Sequence, residues 1–84
     1  MTRRNDPKRA IEREALGHRL IVLRTDAKMN QTDVAEALNV RRGTVSAWET
    51  GTSELAALDA ARLARLFKVD IAVILPPLRP DQLD

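Results

Sequence analysis

Arg42, Gly43, Thr44, Ser46 and Ala47 are the residues of this chain whose types and spacing suit recognition of another molecule. They lie in the stretch Arg42–Thr50, which a helix of period 3.6 divides into two sides. Val45 and Trp48 are three apart and share the side that must be buried. Arg42, Gly43, Ser46 and Ala47 are left facing out, with Thr44 nearby. A face of Arg, Gly, Ser and Ala is thin enough to enter a DNA major groove, which is about 12 Å wide. An ordinary solvated face carries more Glu and Lys. A generic helical hairpin, with Arg41-Arg42 as a solvated pair, is the plainer reading of the same spacing.

The flanking residues supply what such a helix needs to be held. Asn30 is a good N-cap for a helix over Gln31–Leu38, whose buried stripe is Val34, Ala35 and Leu38. Ala35 is small enough for a close crossing. Asn39 enters the left-handed region at tolerable cost, so it suits the sharp turn, and Val40 anchors that turn in the core. The next helix runs Arg42–Thr50 and stops at Gly51, a suitable residue after a helix end. This is the layout of a helix-turn-helix, which presents its second helix to the major groove.

Three further helices are expected. Asp6-Pro7 starts one that runs to Thr25, with Leu16, Leu20, Leu23 and Ala27 on one face. Gly17 inside it marks either a close crossing or a break. Thr52 or Ser53 caps a helix ending near Phe67, and Asp70 caps a short one over Ile71–Leu75, stopped by Pro76-Pro77. No hairpin signal is present. The expected fold is all-α, a five-helix bundle over residues 7–75, between a flexible basic arm at 1–6 and a proline-containing tail at 76–84.

Composition narrows the function. The chain has 84 residues, enough for one small domain. It has no cysteine and a single histidine, His18, which excludes disulfides and thiolate chemistry and argues against a metal site. The net charge of +2 is uneven: residues 1–50 carry +3 and residues 51–84 carry −1. The excess lies with the half that bears the open helix face, as an electrostatic footprint for nucleic acid does. No apolar run is long enough to span a membrane and no secretory leader precedes the domain, so the cytoplasm is the expected place. There is no catalytic constellation, so no enzyme, no cofactor and no small-molecule ligand is expected.

Residues 16–75 resemble the phage repressor/Cro, or XRE, family of helix-turn-helix proteins. The matching motifs are Leu-Arg at 23–24, Asn-Gln at 30–31, Val-Ala-Glu-Ala-Leu at 34–38, Thr-Val-Ser-x-Trp-Glu-x-Gly at 44–51 and Leu-Ala-x-x-Phe-x-Val at 63–69. The resemblance implies sequence-specific binding of double-stranded DNA and a role as a transcriptional regulator, a repressor working as a homodimer on a palindromic operator. It implies that Gln31 bonds a phosphate and braces the recognition helix, and that Arg24 pairs with Glu49 near the DNA backbone. Arg41 would touch phosphate or the first base, and Arg42, Thr44, Ser46 and Ala47 would face base edges. Arg42 is the strongest candidate for base readout, because Arg donates twice to guanine. Thr44 and Ala47 suit thymine methyls, and Gly43 permits close approach. Thr44 and Ser46 also fit plain capping or phosphate contact.

The chain departs from the family after Gly51, where Thr52-Ser53-Glu54-Leu55 carries an acid and no base. The arm residues Arg3, Arg4, Lys8 and Arg9 are candidates to supply the missing backbone contacts. Ile21 and Val22 stand where the family usually has charge; packing beneath residues 7–14 would account for them, and exposure would instead mark contact with the N-terminal extension or a partner. Of Leu66, Val73, Ile74, Leu75 and Leu78, some must fill the core, and the surplus offers a dimer patch. Trp48 belongs in the core and His18 on the surface. Two other readings fit the chain: the antitoxin of a toxin–antitoxin pair, with a toxin as protein partner, and a protein-interaction module without DNA. RNA polymerase is a further possible partner.

Overall fold

The computed structural model describes residues 7–76. The basic arm, with Arg3 and Arg4, and the tail from residue 77 lie outside them. The described chain forms five helices and no strand: α1 (Pro7–Asp26), α2 (Gln31–Leu38), α3 (Arg42–Thr50), α4 (Ala57–Phe67) and α5 (Ile71–Ile74). This is the all-α arrangement expected, with α2 and α3 forming the helix-turn-helix.

Each element buries one stripe. Leu20 of α1, Val34, Ala35 and Leu38 of α2, Val45 and Trp48 of α3, Ala60, Leu63 and Ala64 of α4, and Ile74 of α5 make a single core. Asn30 starts α2 with a reciprocal cap: its Oδ1 accepts from the Asp33 amide at 2.7 Å, and Asp33 Oδ2 accepts from the Asn30 amide at 2.9 Å.

The helix ends share one device. In α1, α2 and α4 the chain turns through a left-handed residue, Lys28, Asn39 and Lys68 respectively, with φ of 58–59°. The amide of the following residue reaches back five positions: Met29 to the Arg24 carbonyl, Val40 to Ala35 and Val69 to Ala64, at 2.9–3.0 Å. Met29, Val40 and Val69 then pack on the core. This is the Schellman closure with its hydrophobic contact, and each apolar residue fixes the direction in which the chain leaves the helix.

Gly17 settles how α1 meets α3. The helix runs through it unbroken, and a Cβ added there would stand 2.3 Å from the backbone oxygen of Glu49. The two backbones therefore touch, which only a glycine permits.

Several expectations are corrected. α4 begins at Ala57, behind Ala56, with no side-chain cap; Thr52 and Ser53 do not start it. The amides of Thr52 and Ser53 instead turn back to the Ala47 carbonyl, at 3.0 and 3.4 Å, so that segment closes α3. Ala27 is exposed and lies past the end of α1, because the chain is already turning towards Lys28. Val22 is 56% exposed and Ile21 half-buried. Residues 7–14 belong to the same straight helix and cannot fold back over them. α5 ends one residue early, at Ile74. Leu75 has left the helical region, with φ −119° and ψ 84°, as the residue before a proline must.

Two substitutions test this account. Gly17→Ala adds about 1 kcal/mol of helix propensity, but a clash with backbone lies at the upper end of overpacking costs, about 3 kcal/mol. The net loss of about 2 kcal/mol should lower the melting temperature by roughly 10 °C. Lys68→Gly removes a left-handed strain and should raise stability by about 0.5–1 kcal/mol. Thermal denaturation followed by circular dichroism reads both.

Candidate nucleic-acid interface

α3 is held from behind and left open in front. Val45, Trp48 and Glu49 are its buried residues. Gly51 ends it with φ of 78° and lies so close to α1 that a Cβ there would sit 3.0 Å from the Glu14 amide nitrogen. Arg13 Nε donates to the Gly51 carbonyl at 2.9 Å, so α1 clamps the C-terminal end of α3. On the front, Arg41, Arg42 and Gly43 are exposed, and Thr44, Ser46 and Ala47 are half-buried. A Cβ added to Gly43 would meet nothing within 4 Å. The acid of α3, Glu49, faces inward and is 7% exposed, so the open face carries no negative charge.

The structure brings Arg24, Glu49, Gln31 and Arg42 into one chain of hydrogen bonds. Arg24 grips Glu49 with both ends of its fork: Nε to Oε2 at 2.6 Å and Nη2 to Oε1 at 3.1 Å. Its Nη1 donates to the Met29 carbonyl at 3.1 Å, tying the turn after α1 to the same pair. The Glu49 hydrogen bonds hold the Arg24 guanidinium above its ordinary range, against the opposing effect of burial. Gln31 Nε2 donates to Glu49 Oε1 at 2.8 Å, and Gln31 Oε1 accepts from Arg42 Nη1 at 3.0 Å. No buried side-chain polar atom among the described residues lacks a partner.

Other candidates fall elsewhere. Arg9 and Arg13 both face Glu54, Arg13 Nη1 at 3.9 Å, so Arg9 is committed to the loop after α3 and is not part of an arm. That pairing also neutralises the acid that departs from the family pattern. In the expected dimer patch, Ile74 is fully buried and Leu66 and Leu75 are packed on the core, which leaves Val73 exposed. Leu78 lies outside the described residues. His18 is exposed and Trp48 buried.

Sequence reading missed Arg19, whose Nε and Nη2 donate to the Ile74 carbonyl at 3.3 and 3.1 Å, and Arg62, which bonds the Leu38 carbonyl. Both satisfy helix-end oxygens of a distant element. The signal for Arg19 was a short helix with no cap of its own at its C-terminal end.

An all-α domain with a tight αL turn between its second and third helices, and a bare outer face on the third, is a helix-turn-helix of the DNA-binding, transcription-regulating class. The Helix-turn-helix family model matches residues 20–74, and the chain belongs to that family. Among solved structures it is similar to the clp gene regulator ClgR from C. glutamicum. The two share 32% identity, with a TM-score of 0.69 over 75% of this chain and 82% of that one. No curated protein sequence matches.

The ion pair can be weighed by removal. Glu49→Ala leaves a half-buried guanidinium and an amide without their shared acceptor, and should cost about 3 kcal/mol. Adding Arg24→Ala should cost less than about 1 kcal/mol more, because the two losses are one interaction. Urea denaturation of both variants measures this.

Proposed function

We propose that this protein binds a specific sequence of double-stranded DNA as a small transcriptional repressor, acting as a homodimer on a palindromic operator. The observation that carries the reading is the open face of α3. It presents arginine, glycine and small side chains to solvent, and the helix's acid is turned into the interior. The likeness to a gene regulator supports a regulatory role.

In this reading Arg42 donates to a guanine, while Thr44, Ser46 and Ala47 lie along neighbouring base edges. Gly43 lets the helix backbone approach. Arg41, at the helix N-cap with no side-chain cap bond, meets phosphate. Gln31 keeps a second Nε2 proton for a phosphate oxygen. Arg24 holds Glu49 and α3 in place through its Nε and one proton on each Nη, and keeps the second proton of each Nη for a phosphate oxygen. Ile71 and Val73, 41% and 44% exposed on α5, supply apolar surface for a second copy. Such a dimer would space two α3 helices about 34 Å apart, one turn of DNA.

Selection from a randomised duplex pool at about 100 mM salt tests the proposal. A palindromic motif is the expected result; no enrichment at this or lower salt would sink it. Arg42→Ala should relax one base position in each half-site by about tenfold. Gly43→Ala should stabilise the free protein by about 1 kcal/mol through helix propensity. It should nevertheless weaken DNA binding, since the space it fills is the space DNA would take. Equal or tighter binding would place DNA elsewhere.

A further inference from the structure

We infer that the outer face of α1 is a self-association surface, on which a second copy of this chain lays its own α1 antiparallel. Ile11 then meets Val22 of the second copy, and Ala15 meets its His18. This surface is separate from Ile71 and Val73 on α5, and the inference does not depend on the DNA-binding reading.

The starting observation is a stripe without a partner inside the molecule. Ile11, Ala15, His18 and Val22 recur at spacings of four, three and four, which sets them on one side of α1. All four are exposed, Ile11 at 65% and Val22 at 56%. Glu12 and Glu14, one on either flank, are exposed as well, so the stripe is not overhung by another described element. Arg13, Gly17 and Arg24 mark the side of α1 that is turned to α3. At 100° per residue the stripe lies roughly 150° round the helix from that side. A copy seated on it leaves both α3 faces open.

Spacing of this kind makes a seam for another helix. Two features make the chain's own α1 the helix that fits. The stripe is complementary to itself when reversed: about its midpoint, Ile11 faces Val22 and the small Ala15 faces the larger His18. A parallel pairing would instead set Ala15 against Ala15, leaving a gap, and His18 against His18. Reversal also brings Glu12 of each copy beside Arg19 of the other, two pairs of opposite charge on one flank of the seam. Arg19 can take such a partner, because its Nε and one Nη2 proton go to the Ile74 carbonyl and both Nη1 protons remain. A seam of about three turns buries far less than the roughly 1,600 Å² of a standard interface, so the pairing is transient, with a dissociation constant between about 1 μM and 1 mM.

Sedimentation equilibrium of the full chain without DNA, taken up to about 1 mM, tests this. The Val73→Glu variant serves as the background, so that pairing through α5 does not mask pairing through α1. Concentration-dependent association is expected. Adding Val22→Glu, at an exposed helical position, should abolish it and leave the melting temperature unchanged. Adding His18→Leu instead should tighten it about tenfold, since an apolar side chain replaces a polar one in the seam. The chain has no cysteine, so Thr25→Cys carries a single spin label. Antiparallel copies hold the two labels about 25 Å apart along the seam, whereas parallel copies hold them side by side. A monomer at every concentration, association that survives Val22→Glu, or labels side by side overturns the inference.

Discussion

The close approach of α1 to the backbone of α3 at Gly17 is the constraint on which the rest of the structure depends. It sets the distance between the two helices to that of bare backbone, and two consequences follow. Arg24, two turns further along α1, reaches Glu49 with both ends of its fork. Arg13, one turn before Gly17, reaches the Gly51 carbonyl at the end of α3. A side chain at position 17 would push these partners apart together. The helix that bears the open face is therefore placed by a backbone contact in the middle and by arginines on either side of it.

The Arg24–Glu49 pair contributes position more than stability. Removing two charges from water costs free energy that their attraction only partly returns. What the pair supplies is geometry: a carboxylate with two oxygens already engaged cannot swing, so whatever bonds to it inherits its place. Breaking the pair is costly because it leaves a charge stranded, not because making it was strongly favourable.

Much of the fold was legible in the sequence because its signals were local. Asn30, Asn39 and Gly51 sit where caps and turns require their particular chemistry, and Val45 and Trp48 mark the covered side of α3 by spacing alone. The parts that were not legible depend on a distant partner. Thr52 and Ser53 look like helix caps until Ala47 claims their amides. Gly17 reads equally as a break or a crossing until Glu49 is placed beside it. Ile21 and Val22 invite a cover that a straight α1 cannot provide. At the candidate site, the residue types of the open face were readable. That Gln31 braces α3 and that Arg24 pairs with Glu49 came from the resemblance; the particular bonds of Gln31 to Glu49 and to Arg42 could not be read from spacing, because they join two separate helices.

α3 itself carries a further consequence. It is short, begins without a side-chain cap, and contains glycine, threonine, valine and serine, all weaker helix formers than alanine. A segment of this kind has little tendency to be helical alone, since helices below about 12 residues are marginal in water. It exists because α1 and the core hold it. The open face of α3 is therefore present only while α1 and the core hold that helix, and is lost when they unfold. A molecule that loses the hold of α1 on α3 loses that face with it, so the amount of competent protein in a cell follows the folding equilibrium and the rate of degradation.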